Sequence, residues 1–229
     1  GETIDYGPCA FMDDYNPETV FSSIDLQGRY SFFNQPGITK WNLARFAECL
    51  IPLIDKDKKK AIEIATEVIN NFDKLHKKSW LDMMRKKLGL FGEEPNDEDL
   101  IINLLNWMHQ NKADYTNTFC FLMNEDFVKD KIYQNQDFMD WKKQWQQRLN
   151  LKNNLFEKSL ELMKSTNPLI IPRNHKVEEA LEAANNDNLN PINSLLDVLK
   201  NPYTRHNEIN NYCYPAPPSD EKYQTFCGT

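Results

Sequence analysis

The start of the chain carries a carboxylate in a pattern that is typical of metal-assisted phosphoryl transfer. Asp5 follows the apolar Ile4 in what is predicted to be a short strand, and it precedes Tyr6 and the flexible Gly7. Magnesium prefers carboxylate oxygens, and in phosphoryl-transfer enzymes an Asp followed by a bulky residue and Gly holds the ion that bridges the phosphates. Asp and Gly are also ordinary turn residues, so a plain turn is the alternative interpretation. Asp5 is therefore a candidate metal and nucleotide ligand. The residues that follow decide between this interpretation and a plain turn.

A succession of further landmarks follows Asp5. Segments 8–15, 25–30, 34–36 and 41–48 read PCAFMDDY, DLQGRY, NQP and WNLARFAE. This succession resembles the selenoprotein O family, also called the YdiU family, of kinase-like protein adenylyltransferases. Later landmarks of the same family follow in the expected order: Asp114-Tyr115-Thr116, Trp141, Arg148-Leu149, Asn167-Pro168, Arg173-Asn174, Asn201-Pro202-Tyr203, Pro217-Pro218 and Phe226-Cys227-Gly228-Thr229.

The resemblance implies both a fold and an activity. The implied fold is mainly α and resembles the C-terminal lobe of a protein kinase from the activation segment onward, with additional C-terminal helices and few, short strands. The implied reaction is Mg²⁺- or Mn²⁺-dependent transfer of AMP from ATP to Ser, Thr or Tyr hydroxyls of proteins, with ATP flipped relative to its orientation in ordinary kinases. Asp5 would hold the metal and contact the nucleotide, and the implied partners are ATP and protein substrates.

Family members are much longer than this chain. Their glycine-rich nucleotide loop, phosphate-contacting Lys and Arg residues, general-base Asp and metal-binding Asn precede the point that corresponds to Gly1. We therefore expect the chain to be the C-terminal part of a larger protein, whose N-terminal portion is a partner and supplies the catalytic base. On its own, the chain is expected to lack transferase activity.

Two other functions remain open from the residues themselves. The first is ordinary phosphoryl transfer to protein hydroxyls, because Asp-Tyr-Gly does not determine which phosphorus is attacked. The second is a non-catalytic helical scaffold or interaction module, which suits a chain that contains neither the base nor the phosphate-binding residues.

The cysteine pattern bears on redox chemistry. The five cysteines lack the paired spacing of a zinc site or a dense disulfide framework, and they favour a reducing compartment: Cys9, Cys49, Cys120, Cys213 and Cys227. The resemblance implies a redox role for Cys227, through a bridge to a cysteine of the activation segment. Phe21 occupies the position expected for that partner, so Cys9 becomes the candidate partner instead. The alternative is that Cys227 is a free thiol.

Composition excludes several classes of protein. The 229 residues carry a formal net charge of −7 with a pI near 5.2, which argues against a general nucleic-acid binder. No apolar run is long enough to cross a bilayer. We expect a soluble protein, cytoplasmic in a bacterium and mitochondrial if the source is a eukaryote.

The pattern of apolar residues and turn formers predicts three regions. Residues 1–36 form the metal-binding strand and an activation-segment-like loop, residues 37–200 form the helical lobe and family-specific helices, and residues 201–229 form an irregular tail. Within the loop, Arg29 is a candidate partner of the Asp25 carboxylate, although a surface arginine beside a turn is an equal alternative.

Helix boundaries follow from proline, glycine and capping residues. A helix begins near Pro36 and ends or kinks at Pro52. A second helix carries an apolar stripe from Ala61 to Leu75, and a shorter one with Trp80 stops at Gly89. Later helices are predicted from an acidic first turn at 97–99, an Asp114 cap, and apolar stripes at 138–149, 155–163, 177–184 and 192–199.

Overall fold

A computed structural model describes residues 11–151, 156–207 and 209–217 of the chain. The described residues are mainly helical, which confirms the fold class that the sequence predicts. Their only β-type pairing is an isolated antiparallel bridge between Asp14 and Asp114. In these residues there are ten α-helices: α1 (Gln35–Ile54), α2 (Lys58–Asn70), α3 (Phe72–Lys87), α4 (Asp97–Asn111), α5 (Tyr115–Leu122), α6 (Gln136–Asn150), α7 (Phe156–Thr166), α8 (Asn174–Asn185), α9 (Asn190–Leu199) and α10 (Ile209–Tyr212).

The chain divides into two compact units, and the division falls within α3. The first unit contains Pro17–Asp82, and the second contains residues 11–16 together with the described part of 83–217. No helix in the described ranges is both long enough and apolar enough to span a membrane.

Helix α1 of the first unit begins where proline allows it to begin. Pro36 lies in its first turn, where a missing N–H costs no hydrogen bond, as predicted. The helix continues past Pro52 and ends at Ile54, so that this proline lies in the last turn. Pro52, where the helix was predicted to end or kink, therefore precedes its observed end by two residues.

The predicted continuous helix from Ala61 to Leu75 is wrong. Helix α2 ends at Asn70, and α3 runs from Phe72 through the segment of Trp80 that was predicted as a separate helix. Asn71 between them keeps near-helical angles, with φ −77° and ψ −12°, and its N–H donates to Glu67 O. Because Asn71 keeps near-helical angles, the apolar residues keep their helical spacing across the break. The sequence pattern therefore does not reveal where α2 ends.

The loop before α1 is held by the Asp25 carboxylate. Its two oxygens accept the backbone N–H groups of Arg29 and Tyr30, each at 2.8 Å. The Arg29 guanidinium instead lies over the Trp41 ring, 4.9 Å from its centroid. The predicted contact of Asp25 with Arg29 thus uses the backbone of Arg29, and its side chain makes a cation–π contact.

The second unit is built on the predicted aromatic stripe of α6. Phe138, Trp141 and Trp145 are all buried. The indole N–H of Trp141 donates to Leu100 O at 2.8 Å, and that of Trp145 donates to Leu88 O at 2.9 Å. These bonds satisfy the polar atoms of two large buried rings, so the stripe is core rather than a cofactor site.

Candidate functional site

The three residues that the sequence singles out for chemistry, Asp5, Cys9 and Cys227, lie outside the described residues. The structure does describe the segment that follows the first two of them, residues 11–16. This segment belongs to the second unit and contacts the starts of α5 and α8. It is the described part of the chain nearest in sequence to Asp5.

Alternate residues of segment 11–16 make the hydrogen bonds. The side-chain amide of Asn174 donates to Phe11 O at 3.1 Å and accepts from Phe11 N–H at 3.3 Å. Asp13 O accepts the N–H of Tyr115 at 2.8 Å, and Tyr15 N–H donates to Ala113 O at 2.9 Å. Alternation is what extended backbone requires, so the segment is bound like a very short edge strand.

Arg173 stands at the centre of this attachment. It precedes the first turn of α8, and its side chain is 1% exposed. Nη1 donates to Asp13 Oδ1 and, at 2.5 Å, to Asp114 Oδ2, while Nη2 donates to Asp114 Oδ1 at 3.2 Å and to Cys213 O at 2.8 Å. One planar guanidinium therefore joins segment 11–16, the start of α5 and the backbone after α10.

Asp114 also performs the capping role that the sequence predicts. Its Oδ1 accepts the N–H of Asn117 at 2.7 Å, and its backbone oxygen accepts the Thr118 hydroxyl at 2.7 Å. The carboxylate thus satisfies a first-turn N–H of α5 and pairs with Arg173 at the same time. The bond from Asn117 N–H therefore orients the carboxylate independently of Arg173.

The electrostatics of the cluster favour the charged arginine. Burial lowers the pKa of Arg173, but the Asp114 and Asp13 carboxylates more than offset this and raise its pKa above the ordinary value. A permanently charged guanidinium cannot exchange protons with a substrate. The cluster is therefore suited to positioning a segment of chain and not to acid–base catalysis.

His175 is the second residue of α8, two positions after Arg173. Burial and the neighbouring Lys176 lower its pKa below the ordinary 6.5, so that the imidazole is neutral at pH 7. Its buried Nδ1 has no hydrogen-bond partner among the described residues, so this nitrogen does not cap the helix.

A second buried ionic cluster lies in the same unit. Asp97, 1% exposed, accepts from Arg148 Nε at 2.6 Å and from Arg85 Nε at 2.8 Å. Burial raises the pKa of this carboxyl, but its bonds from Arg148, Glu94 N–H and Arg85 outweigh that effect and leave the pKa lowered. The sequence indicated only that acidic residues suit a helix start here.

The described residues include three cysteines but no candidate metal cluster. No group of three His, Cys, Asp or Glu side chains in the described ranges is arranged to hold a metal ion. Cys49, Cys120 and Cys213 are free thiols, and burial raises the pKa of Cys213 to about 11. Such a thiol is a poor nucleophile at neutral pH.

Sequence reasoning missed the pairings of Arg173. The motif residues Asp13, Asp114 and Arg173 each stand out within a landmark, but their pairing spans 59 residues in one case and 160 in the other. Local periodicity carries no information at that separation. The landmarks contain four arginines and several carboxylates, so residue type alone does not identify the pairing.

A family model described as "Protein adenylyltransferase SelO" matches residues 1–200. Three similar curated proteins are each named "Protein nucleotidyltransferase YdiU". The chain is 58% identical to the protein from Pelagibacter ubique, 52% to that from Nitrosococcus oceani and 49% to one from Bacillus cereus. Each match includes the whole chain but only 47%, 46% and 47% of the respective relative, so the chain spans about half the length of the curated relatives it matches.

Proposed function

Because the chain belongs to the SelO family of protein adenylyltransferases, we propose that it is part of an enzyme that transfers AMP from ATP to Ser, Thr or Tyr hydroxyls of proteins. In that reaction the hydroxyl oxygen bonds to the α-phosphorus, and pyrophosphate leaves. The observation that carries the proposal is the match of residues 1–200 to the family model, a range that includes Asp5-Tyr6-Gly7.

Asp5 is the proposed metal and nucleotide ligand. Its carboxylate is the kind of hard oxygen donor that Mg²⁺ or Mn²⁺ prefers, and it stands in the Asp-aromatic-Gly pattern of phosphoryl-transfer enzymes. The metal would supply positive charge next to the phosphate oxygens, where negative charge builds up during transfer. The catalytic base and the phosphate-binding Lys and Arg are proposed to belong to the part of the natural protein that precedes this chain.

Arg173 and Asp114 are proposed positioning residues for Asp5. Together with Asn174 they hold residues 11–13, which begin six positions after Asp5. A carboxylate that coordinates a metal has to be kept within a fraction of an ångström of its working position. The hydrogen bonds and the ion pair that anchor residues 11–13 are the observations that support this proposal.

The three regions keep their proposed roles. Residues 1–36 would carry the metal ligand and the activation-segment-like loop, residues 37–200 the helical lobe, and residues 201–229 the tail with Cys227.

A disulfide between Cys9 and Cys227 is part of the proposal, because Phe21 stands where the family's partner cysteine is expected. Peptide mapping of the oxidised natural protein would yield a linked Cys9–Cys227 peptide, and its absence would reject this pairing.

The experiment that tests the function identifies the transferred group. The intact natural protein, with every residue that its gene encodes, is incubated with ATP and Mg²⁺, and its mass is measured. An added AMP supports adenylyl transfer, an added phosphate supports the kinase alternative, and no addition to the protein or to candidate protein substrates supports a scaffold. The chain of residues 1–229 by itself is expected to show no transfer.

A further inference from the structure

A long cleft runs along the contact between α4 and α6. These helices are antiparallel, because Asp97 at the start of α4 pairs with Arg148 at the end of α6. Two hollows of about 600 Å³ and about 390 Å³ lie along them, and both are lined by Asn103 and Gln144. The two hollows adjoin at these two residues, and together they are called the α4–α6 groove.

The floor of the groove contains buried donors without acceptors. Trp107 and Arg148 line its two halves and are only 5% and 7% exposed. Neither the indole N–H of Trp107 nor Nη1 of Arg148 has a hydrogen-bond partner among the described residues. A buried donor without an acceptor costs free energy, so a small rearrangement of the floor that exposed either atom to a ligand oxygen would be favoured.

The walls of the groove are rich in side-chain amides. Asn103, Asn106 and Gln110 lie at intervals of three and four along one face of α4, and Gln144 and Gln147 face them from α6. Each amide offers one acceptor and two N–H donors. An extended peptide presents carbonyl and N–H groups in alternation, which is the complement of such a surface.

The length of the groove agrees with a peptide of several residues. From Asp99 to Gln110, α4 rises by roughly 16 Å at about 1.5 Å per residue. An extended peptide advances about 3.3 Å per residue, so about five residues would occupy this length.

The charge of the groove selects among peptides. Glu94 and Asp99 line one end, and Asp137 lines the other. Asp140 is also present but already pairs with Lys143 at 2.8 Å. Arg148 is held by Asp97, so its charge is compensated within the protein. The carboxylates at both ends therefore attract lysine or arginine side chains.

We propose that the α4–α6 groove binds an extended segment of a protein substrate that carries lysine or arginine at both ends of a stretch of about five residues. The amides hold its backbone without regard to sequence, and the acidic ends set the preference for basic side chains. This inference rests on the proposed function for the identity of the ligand as a substrate, but peptide binding itself requires no catalysis.

The test measures peptide binding by fluorescence anisotropy, using the intact natural protein without ATP. The probe is a fluorescein-labelled nine-residue peptide with lysines on both sides of a central serine, and its matched counterpart has glutamate in place of each lysine. The lysine peptide should bind about tenfold more tightly. Its affinity should weaken with added salt, because exposed charges are screened.

Two double variants locate the site. Asp99→Asn with Asp137→Asn should raise the Kd of the lysine peptide about fourfold, since each exposed charge contributes a factor of about two. The matched control is Glu157→Gln with Glu161→Gln on α7, which removes the same number of negative charges. Glu157 lies in the first turn of its helix, as Asp99 and Asp137 do in theirs, so the control also matches the effect on helix stability. It should leave the Kd of the lysine peptide within about twofold of the natural value. Asn103→Ala with Gln144→Ala should weaken both peptides.

Several outcomes would overturn the inference. They are equal binding of the lysine and glutamate peptides, unchanged affinity in both groove variants, and absence of binding by the intact protein, which would mean that the groove is already covered. Self-association that Asn103→Ala with Gln144→Ala abolishes would assign the groove to a second copy of the protein. Loss of ATP-dependent transfer with intact peptide binding would instead count against the proposed function alone.

Discussion

Arg173 and Asp114 form a two-point ion pair in which Nη1 lies 2.5 Å from Oδ2 and Nη2 lies 3.2 Å from Oδ1. Both side chains are buried, and both have further partners: Asp13 and Cys213 O for the arginine, Asn117 N–H for the aspartate. The pair links residues that are 59 positions apart in sequence. It therefore fixes how the starts of α5 and α8 meet beneath segment 11–16.

Replacing Arg173 should destabilise this unit strongly. Arg173→Ala leaves a buried carboxylate without its partner, and loss of one member of a buried pair typically costs about 3–5 kcal/mol in the free energy of unfolding. Arg173→Lys should recover only part of this, because an ammonium cannot donate in the planar two-point arrangement. Urea unfolding of the intact natural protein measures the change.

A matched control and a local probe make this prediction specific. Arg205 pairs with Asp126 at the surface, so Arg205→Ala should leave the urea midpoint unchanged. In Arg173→Lys, hydrogen exchange at the N–H groups of Tyr15 and Tyr115 should accelerate, since these donors attach segment 11–16. Unchanged exchange at both amides would show that the segment is held without Arg173.

If Arg173 positions Asp5, the dependence of activity on metal should change as well. In a variant that remains folded, such as Arg173→Lys, the Mg²⁺ concentration for half-maximal transfer should rise. A purely structural role predicts less active protein at the same half-maximal concentration. The comparison therefore separates positioning from stability.

The Asp97 cluster predicts a pH dependence on the acid side. The pKa of Asp97 lies below its ordinary 3.8 in the folded protein, so its stabilising effect is present above the ordinary carboxyl pKa and is lost as pH falls through the lowered value. Asp97→Asn should therefore be strongly destabilising at pH 7 and progressively less so below about pH 4. Unfolding free energies of both proteins from pH 7 to pH 3 measure this, and a difference that does not vary with pH would contradict it.

Lys87 predicts a second pH dependence, on the alkaline side. Burial lowers the pKa of its ammonium from 10.5 to about 8, while the Phe119 ring, 4.1 Å from Nζ, partly compensates the charge. Between these values the unfolded chain binds more protons than the folded one, so stability rises with pH. Lys87→Met should be more stable than the natural protein at pH 7 by about 1–2 kcal/mol, and this advantage should shrink as pH rises from 8 to 10.

Lys86 provides the control on the same helix. It is exposed, so Lys86→Met should change the urea midpoint little and without dependence on pH. If Lys87→Met were destabilising at pH 7, the cation–π contact with Phe119 would outweigh the cost of burying the ammonium.

Much of the fold could be predicted because local physics determines it. The α6 stripe of Phe138, Trp141 and Trp145 reports burial directly, and the Asp114 cap and the Pro36 start follow from backbone hydrogen bonding. The break at Asn71 escaped prediction because it preserves the helical phase of the apolar residues on either side.

The candidate site was less predictable because its contacts join distant parts of the chain. Arg148 occupies a position on the buried face of α6, where an apolar residue would be expected. Only the fold brings it to Asp97, which lies 51 residues earlier in the sequence. Likewise, the sequence gives no reason for Arg173 to choose Asp13 and Asp114 over other carboxylates. Asp5 was identified from its motif, and its role stays a prediction.

The most direct test of the central claim is the mass of the intact natural protein after incubation with ATP and Mg²⁺, compared between natural Asp5 and Asp5→Ala. Glu63→Ala on the exposed face of α2 is the control for loss of a carboxylate. We expect an added AMP in the natural protein and in Glu63→Ala, and none in Asp5→Ala, because the metal would lack its carboxylate ligand. Undiminished addition of AMP to Asp5→Ala would contradict the assignment.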